Sequence, residues 1–161
     1  MDRQELEIQL AKSYDRVLRG LIAVAGSREH GEDALHDALE AALMPRALNR
    51  IERADAWLYA VGLRALRRAR WKHRFDSPLE FLRRSVPAPS ADRVEALALL
   101  SELTPRQREI LVARFYLDLS YKQIADGFGI SVGTATATVS QALARLRASP
   151  NGDRIWTRSR T

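Results

Sequence analysis

Apolar residues recur along the first part of the chain at spacings of three and four, the period of a helix with one buried face. Leu6, Leu10, Tyr14, Val17, Leu18, Leu21 and Ile22 form one such stripe, and Gly26 ends it. A second stripe of Ala34, Leu35, Leu39 and Leu43 predicts a helix from about Arg28 or Glu32 to Met44, stopped by Pro45. After the basic, irregular stretch PRALNRIERAD, a third helix is expected from near Asp55 to about Arg74. Its apolar residues are Trp57, Leu58, Val61, Leu63 and Leu66. The pattern then breaks at DSPLEFLRRSVPAPSA, where three prolines mark an interdomain linker over 76–91.

The second half is punctuated by explicit caps. After a helix expected over about 94–102, TPRQREILVARFYL pairs Thr104 as N-cap with Gln107, and Pro105 takes the first helical position, where its missing N–H is not needed. SYKQIADGF repeats the device with Ser120 and Gln123. GISVGT follows as a tight turn, with Gly129 able to take positive φ and Ser131 capping a last helix. The expected organisation is all-α, with two small helical domains over 1–75 and 92–148, the Pro-containing linker 76–91 between them and a basic C-terminal tail over 149–161.

Composition agrees with an all-α fold and narrows the chemistry. Leu, Ala and Arg dominate, and the absence of cysteine excludes disulfides and thiolate metal sites. Nothing resembles a signal peptide or membrane span, so a soluble, cytoplasmic protein without a membrane partner is expected. The net charge of +6 points to a polyanionic partner. Between Ala56 and Phe75 stand Arg64, Arg67, Arg68, Arg70, Lys72 and Arg74 without one acidic residue, with Trp57, Tyr59 and Trp71 among or near them. Cations follow phosphates and aromatic faces stack unpaired bases. Trp57 is nevertheless better read as a core residue than as a stacking platform.

Residues 120–147 fit a helix-turn-helix, with Ala125 small where the two helices cross. Ile124, Phe128, Ile130, Ala135, Val139, Leu143 and Leu146 supply the apolar faces. The outer face of the second helix is then Gly133, Thr134, Thr136, Ala137, Ser140, Gln141 and Arg145, with no charge between Thr134 and Gln141. In such motifs the N-terminal part of the second helix meets base edges. A helical hairpin in an unrelated bundle is the competing reading.

Over about fifty residues, LSELTPRQREILVARFYLDLSYKQIADGFGISVGTATATVSQALARLR closely resembles region 4 of bacterial RNA polymerase sigma factors. GEDALHDAL and AWLYAVGLRALRRARWKHR resemble the polymerase-binding and promoter-melting helices of region 2. Two regions joined by a short linker resemble the small extracytoplasmic-function group of the sigma-70 family. The resemblance implies a region 2 three-helix bundle and a region 4 four-helix domain. Its expected partners are core RNA polymerase, through clamp helices and flap, and promoter DNA, with an anti-sigma factor as a further partner. It implies −35 contacts from Ser131, Thr134, Thr136, Ala137, Ser140, Gln141 and Arg145. The −10 contacts would come from Arg50, Arg53, Trp57, Arg64, Arg67, Arg68 and Lys72, and polymerase contacts from Asp33, His36 and Asp37.

The chain departs from the family in both readers. Arg64 and Arg68 stand where an Asn and an Asp are usual, and Thr136, Thr138 and Gln141 replace cations. The neutral substitutions predict weaker phosphate attraction and a −35 sequence read by Thr, Ser and Gln. Gln141 can bond adenine bidentately, and a Thr136 or Ala137 methyl can meet a thymine methyl. Arg145 and Arg147, with Arg154, Arg158 and Arg160 of the tail, are candidates for restoring backbone affinity.

The expected activity is a non-enzymatic specificity subunit needing no cofactor or metal. The chief alternative is a sigma-like DNA-binding regulator, or an anti-sigma decoy, that does not itself initiate transcription. A repressor without polymerase contact leaves the first half unexplained. An enzyme is disfavoured because no phosphate loop or acid–base pair stands out. A metal site at His30, Asp33 and Asp37 lacks further ligands.

Overall fold

Three long helices build the first half, and each begins or ends where the local chemistry dictates. The computed structural model describes residues 2–72 and 91–150, with backbone alone at 70–72 and 91–94. Helix α1 spans Arg3–Ala25, with the Asp2 carboxylate accepting from the Glu5 N–H and Gly26 closing it at φ 69°. Helix α2, Arg28–Ala42, starts two residues after Gly26, where Ser27 Oγ accepts from the His30 N–H. Helix α3 runs Ala54–Lys72.

The crossings among these helices are tight. A Cβ on Gly31 would stand 2.6 Å from Ile22 Cγ1 and 3.0 Å from the Ile22 backbone nitrogen, so α2 approaches α1 through a residue without a side chain. Two expected core residues are corrected. Leu43 is 50% exposed because α2 ends at Ala42, turning the chain before Leu43 can face inward. Tyr14 is 40% exposed: it follows the apolar period, but a phenol tolerates a rim position with its polar tip in water.

In the second half, helix α4 spans Ala91–Ser101, beginning about three residues before the expected start. Helix α5, Pro105–Leu111, opens with the Thr104/Gln107 capping box and passes directly into a π-helical turn over Val112–Tyr116. The Leu117 N–H reaches back to the Val112 carbonyl at 3.0 Å. Asp118 then takes φ 54°, and the chain enters helix α6, Tyr121–Phe128, through the Ser120/Gln123 capping box. Gly129 at φ 65° makes the turn into helix α7, Val132–Ala148, capped by Ser131. Every cap read from sequence in this half is present. Helices α6 and α7 form the helix-turn-helix, and Ile124, Ala125, Ala135, Val139 and Ala142 are buried within it.

The two helical halves share one continuous core. Leu21, Leu35, Leu58 and Leu63 of the first half belong to the same buried cluster as Ile110, Leu117 and Ile124 of the second. A buried arginine reinforces the junction: Arg108 donates to the Leu100 carbonyl at 2.8 Å, to Leu103 at 3.3 Å and, across the halves, to Val24 at 3.3 Å. Val24 and Leu100 lie in the last turns of α1 and α4, where carbonyls carry partial negative charge; that of Leu100 also accepts from the Leu103 N–H at 3.2 Å. One guanidinium therefore satisfies two helix ends at once.

Candidate nucleic-acid interface

Helix α7 leaves one broad arc exposed to solvent. Burying Ala135, Val139 and Ala142 against the rest of the domain turns the opposite arc outward. Ser131, Thr134, Thr136, Ala137, Ser140, Gln141 and Arg145 are all exposed on it, together with Gly133, Ala144 and Arg147. The structure thus brings the seven sequence-predicted residues onto one helix. Val132, 48% exposed at the start of α7, is an apolar addition that periodicity did not single out.

The hydroxyls of this helix are not all available. Thr136 Oγ1 donates to the Val132 carbonyl at 2.9 Å, and Thr138 Oγ1 to the Thr134 carbonyl at 2.8 Å. Thr134 Oγ1 lies 2.9 Å from the Ser131 hydroxyl, whose oxygen also accepts from the Thr134 N–H at 3.0 Å. Such back-bonding is the ordinary habit of threonine within a helix.

The candidate −10 residues divide into two groups. Trp57, Arg64 and Arg68 recur at the seven- and four-residue steps that place them along one side of α3; the two arginines are exposed and Trp57 is half-buried against the core. Arg50 is exposed on the loop before α3. Arg53 and Arg67 instead face the second half. Arg53 holds Asp55 through two bonds of 2.7 and 3.0 Å, then reaches the Leu117 carbonyl at 3.0 Å and Gln123 Oε1 at 3.2 Å. Arg67 pairs with Glu109 at 2.8 Å. The Lys72 side chain lies outside the described residues, as do those of Arg70 and Trp71 and all of Arg74, Arg154, Arg158 and Arg160.

Glu109 is the residue that sequence reasoning missed. Its carboxylate is only 4% exposed and lies 2.8 Å from Arg67 and 3.5 Å from Arg106. Its carbonyl accepts from the Tyr59 hydroxyl at 2.8 Å, and Tyr59 is fully buried, so it offers no face to a base. Burial first, and the Glu109 charge second, hold the Tyr59 phenol well above its ordinary pKa, against a smaller lowering by Arg67. Arg106 lies over the Phe128 ring, 5.0 Å from its centroid. Between α3 and α6 lies a cleft of about 180 Å³, lined by Arg64, Arg67, Asp126 and Phe128 among others.

On the opposite sign, α2 presents Asp33, His36 and Asp37 on its exposed side, with His36 Nε2 3.2 Å from Glu40. Glu29, Glu32 and Glu40 extend this acidic face at spacings visible in the sequence. Among the described residues, no three His, Asp or Glu side chains gather as a metal site, and no helix is long and apolar enough to cross a membrane.

Residues 93–146, which include both capping boxes and most of the exposed second helix, match the family described as Sigma-70, region 4. The sequence-level resemblance to sigma factors is borne out in the relatives as well. The chain is 40% identical over 57 residues to the RNA polymerase sigma-E factors of Streptomyces avermitilis and Streptomyces coelicolor, a match covering 35% of this chain and 32% of each relative. The matched segment therefore spans about a third of the length of these curated relatives. The all-helical architecture is also that of the sigma factor RpoE from Bartonella quintana, solved in complex with the anti-sigma factor NepR. The TM-score is 0.61 at 20% identity, over 90% of this chain and 93% of that one, a likeness of fold.

Proposed function

We propose that this protein is a sigma factor of the extracytoplasmic-function kind, a non-catalytic subunit that directs core RNA polymerase to promoters. The observation that carries the reading is the exposed, capped second helix of a region 4 module, with its predicted contact residues on one face. In this reading α7 enters the major groove of the −35 element. The α3 stripe of Trp57, Arg64 and Arg68, with Arg50, captures the −10 strand. The acidic face of α2, through Asp33, His36 and Asp37, docks on the polymerase clamp. The protein acts where polymerase is, in the cytoplasm, and an anti-sigma factor is a further partner, as for the structural relative.

A sigma-like regulator that does not initiate transcription is the second reading. One observation favours it: Arg53 and Arg67, two of the candidate −10 residues, are engaged within the protein. Reconstitution separates the two. Full-length protein added to core polymerase should start transcripts at a subset of promoters, detected by mapping RNA 5′ ends. Binding to core polymerase without any new start sites selects the regulator, and no binding to the polymerase excludes the sigma factor.

A further inference from the structure

The bonding of the α7 hydroxyls changes what this helix is able to read. Base recognition in the major groove rests on a few pairings: Arg or Lys with guanine O6 and N7, Asn or Gln with adenine, carboxylates with cytosine N4, and methyl-bearing side chains with the thymine methyl. No Arg, Lys, Asp or Glu occurs from Ser131 to Ala144. The first cation, Arg145, lies roughly 20 Å along the axis from the helix start. The commonest guanine contact is therefore missing from the part of the helix that enters a groove.

Thr136 and Thr138 do not replace it as hydroxyl donors. The Thr136 and Thr138 protons are given to carbonyls four residues back, and the Thr134 oxygen is engaged with the Ser131 cap. Neither Thr136 nor Thr138 has a proton left for purine N7, guanine O6 or thymine O4. With Oγ1 of Thr136 turned back onto the helix, the tetrahedral Cβ leaves the Cγ2 methyl as the group presented to solvent. Exposed Ala137 adds a second methyl beside it, and Gln141 one turn further supplies the amide suited to adenine.

We propose that α7 reads A·T pairs of the −35 duplex through thymine methyl groups, with Thr136 Cγ2 and Ala137 Cβ as the methyl-contacting surface and Gln141 on a neighbouring adenine. The inference rests on the sigma-factor reading above and assigns its −35 site a substrate chemistry.

The test is a substitution in the DNA. A promoter fragment found by start-site mapping, bound by full-length protein with core polymerase, is compared with the same fragment carrying deoxyuridine for each −35 thymine. Uracil pairs as thymine does and lacks only the methyl. Affinity should fall about fourfold for each methyl contacted, the equivalent of burying one such group. Thr136→Val keeps the outward methyl and should keep the thymine preference, whereas Thr136→Ser removes the methyl and should lose that contact's share. Equal affinity for thymine and uracil fragments, a −35 segment without thymine on either strand, or a preference kept by Ser and lost by Val each overturns the proposal. If no thymine-containing fragment is bound with polymerase, it is the sigma-factor reading that fails, and this assignment falls with it.

Discussion

The two candidate DNA-reading helices are in opposite states. Helix α7 has all seven predicted contact residues exposed, and its Thr136 and Thr138 hydroxyls are satisfied locally. Helix α3 has one side open, with Arg64 and Arg68, and another side closed against the second half through Arg67, while Arg53 makes the same closure from just before the helix. The difference follows from charge. Guanidinium groups find carbonyls and a carboxylate across the fold, and the short Thr136 and Thr138 side chains reach only carbonyls of their own helix. A helix rich in arginine is thus recruited by its own protein as readily as by a phosphate backbone.

This contrast orders the expected effects of substitution. The largest is at the junction itself. Arg108→Ala removes the guanidinium shared by the Val24, Leu100 and Leu103 carbonyls and opens a cavity, which should lower unfolding stability by about 3–5 kcal/mol in urea titration. A loss below about 1 kcal/mol would mean that water replaces the arginine and that the junction is wet.

Next is Arg67→Ala, which leaves the Glu109 carboxylate buried, with Arg106 at 3.5 Å as its remaining ion-pair partner among the described residues. Because Arg67 is 39% exposed, the low end of the range for a broken buried pair applies, about 3 kcal/mol. An unchanged denaturation midpoint would show that α3 is open in solution, and the contrast between the two readers would vanish.

Tyr59→Phe deletes one buried hydrogen bond and should cost about 1 kcal/mol at neutral pH. Its clearer signature is alkaline. The folded phenol titrates above its unfolded value, so its contribution is intact below about pH 10 and declines as pH rises towards the folded pKa. Stability of the parent protein should therefore drop more steeply above pH 10 than that of the Phe variant, as followed by circular dichroism.

The smallest stability changes, within about 0.5 kcal/mol, are expected on exposed positions. Gln141→Ala and Arg68→Ala should both fold normally and differ only on DNA. The first should alter −35 sequence preference in a binding selection, and the second should weaken promoter opening evenly across sequences, as permanganate footprinting reports. Equal, sequence-independent losses from the two would dissolve the division between base reading and backbone contact.

What was legible in the sequence was mostly local. A cap is a relation between residues three apart, so Thr104 with Gln107 and Ser120 with Gln123 could be read directly, and both capping boxes are present. The outward face of α7 followed from the same short-range period. Leu43 failed because periodicity says nothing of where a helix stops. Glu109 and Arg53 were illegible for a deeper reason: their partners lie 42 and 64 residues away, at Arg67 and Leu117, and pairing at that range is decided only by how the halves pack. The hydroxyl bonds of Thr136 and Thr138, though local, depend on a rotamer that the sequence leaves open among alternatives.

The uncharged stretch of α7 has a consequence for the response to ionic strength. Each cation that displaces a condensed counterion from DNA steepens the fall of affinity with added salt, and a face without cations contributes nothing to that slope. The sequence preference supplied by this helix should therefore survive concentrations of potassium at which an arginine-rich reader has lost much of its hold. Discrimination between promoters would then be nearly constant while total occupancy falls, which separates selectivity from strength in a cell whose internal salt changes.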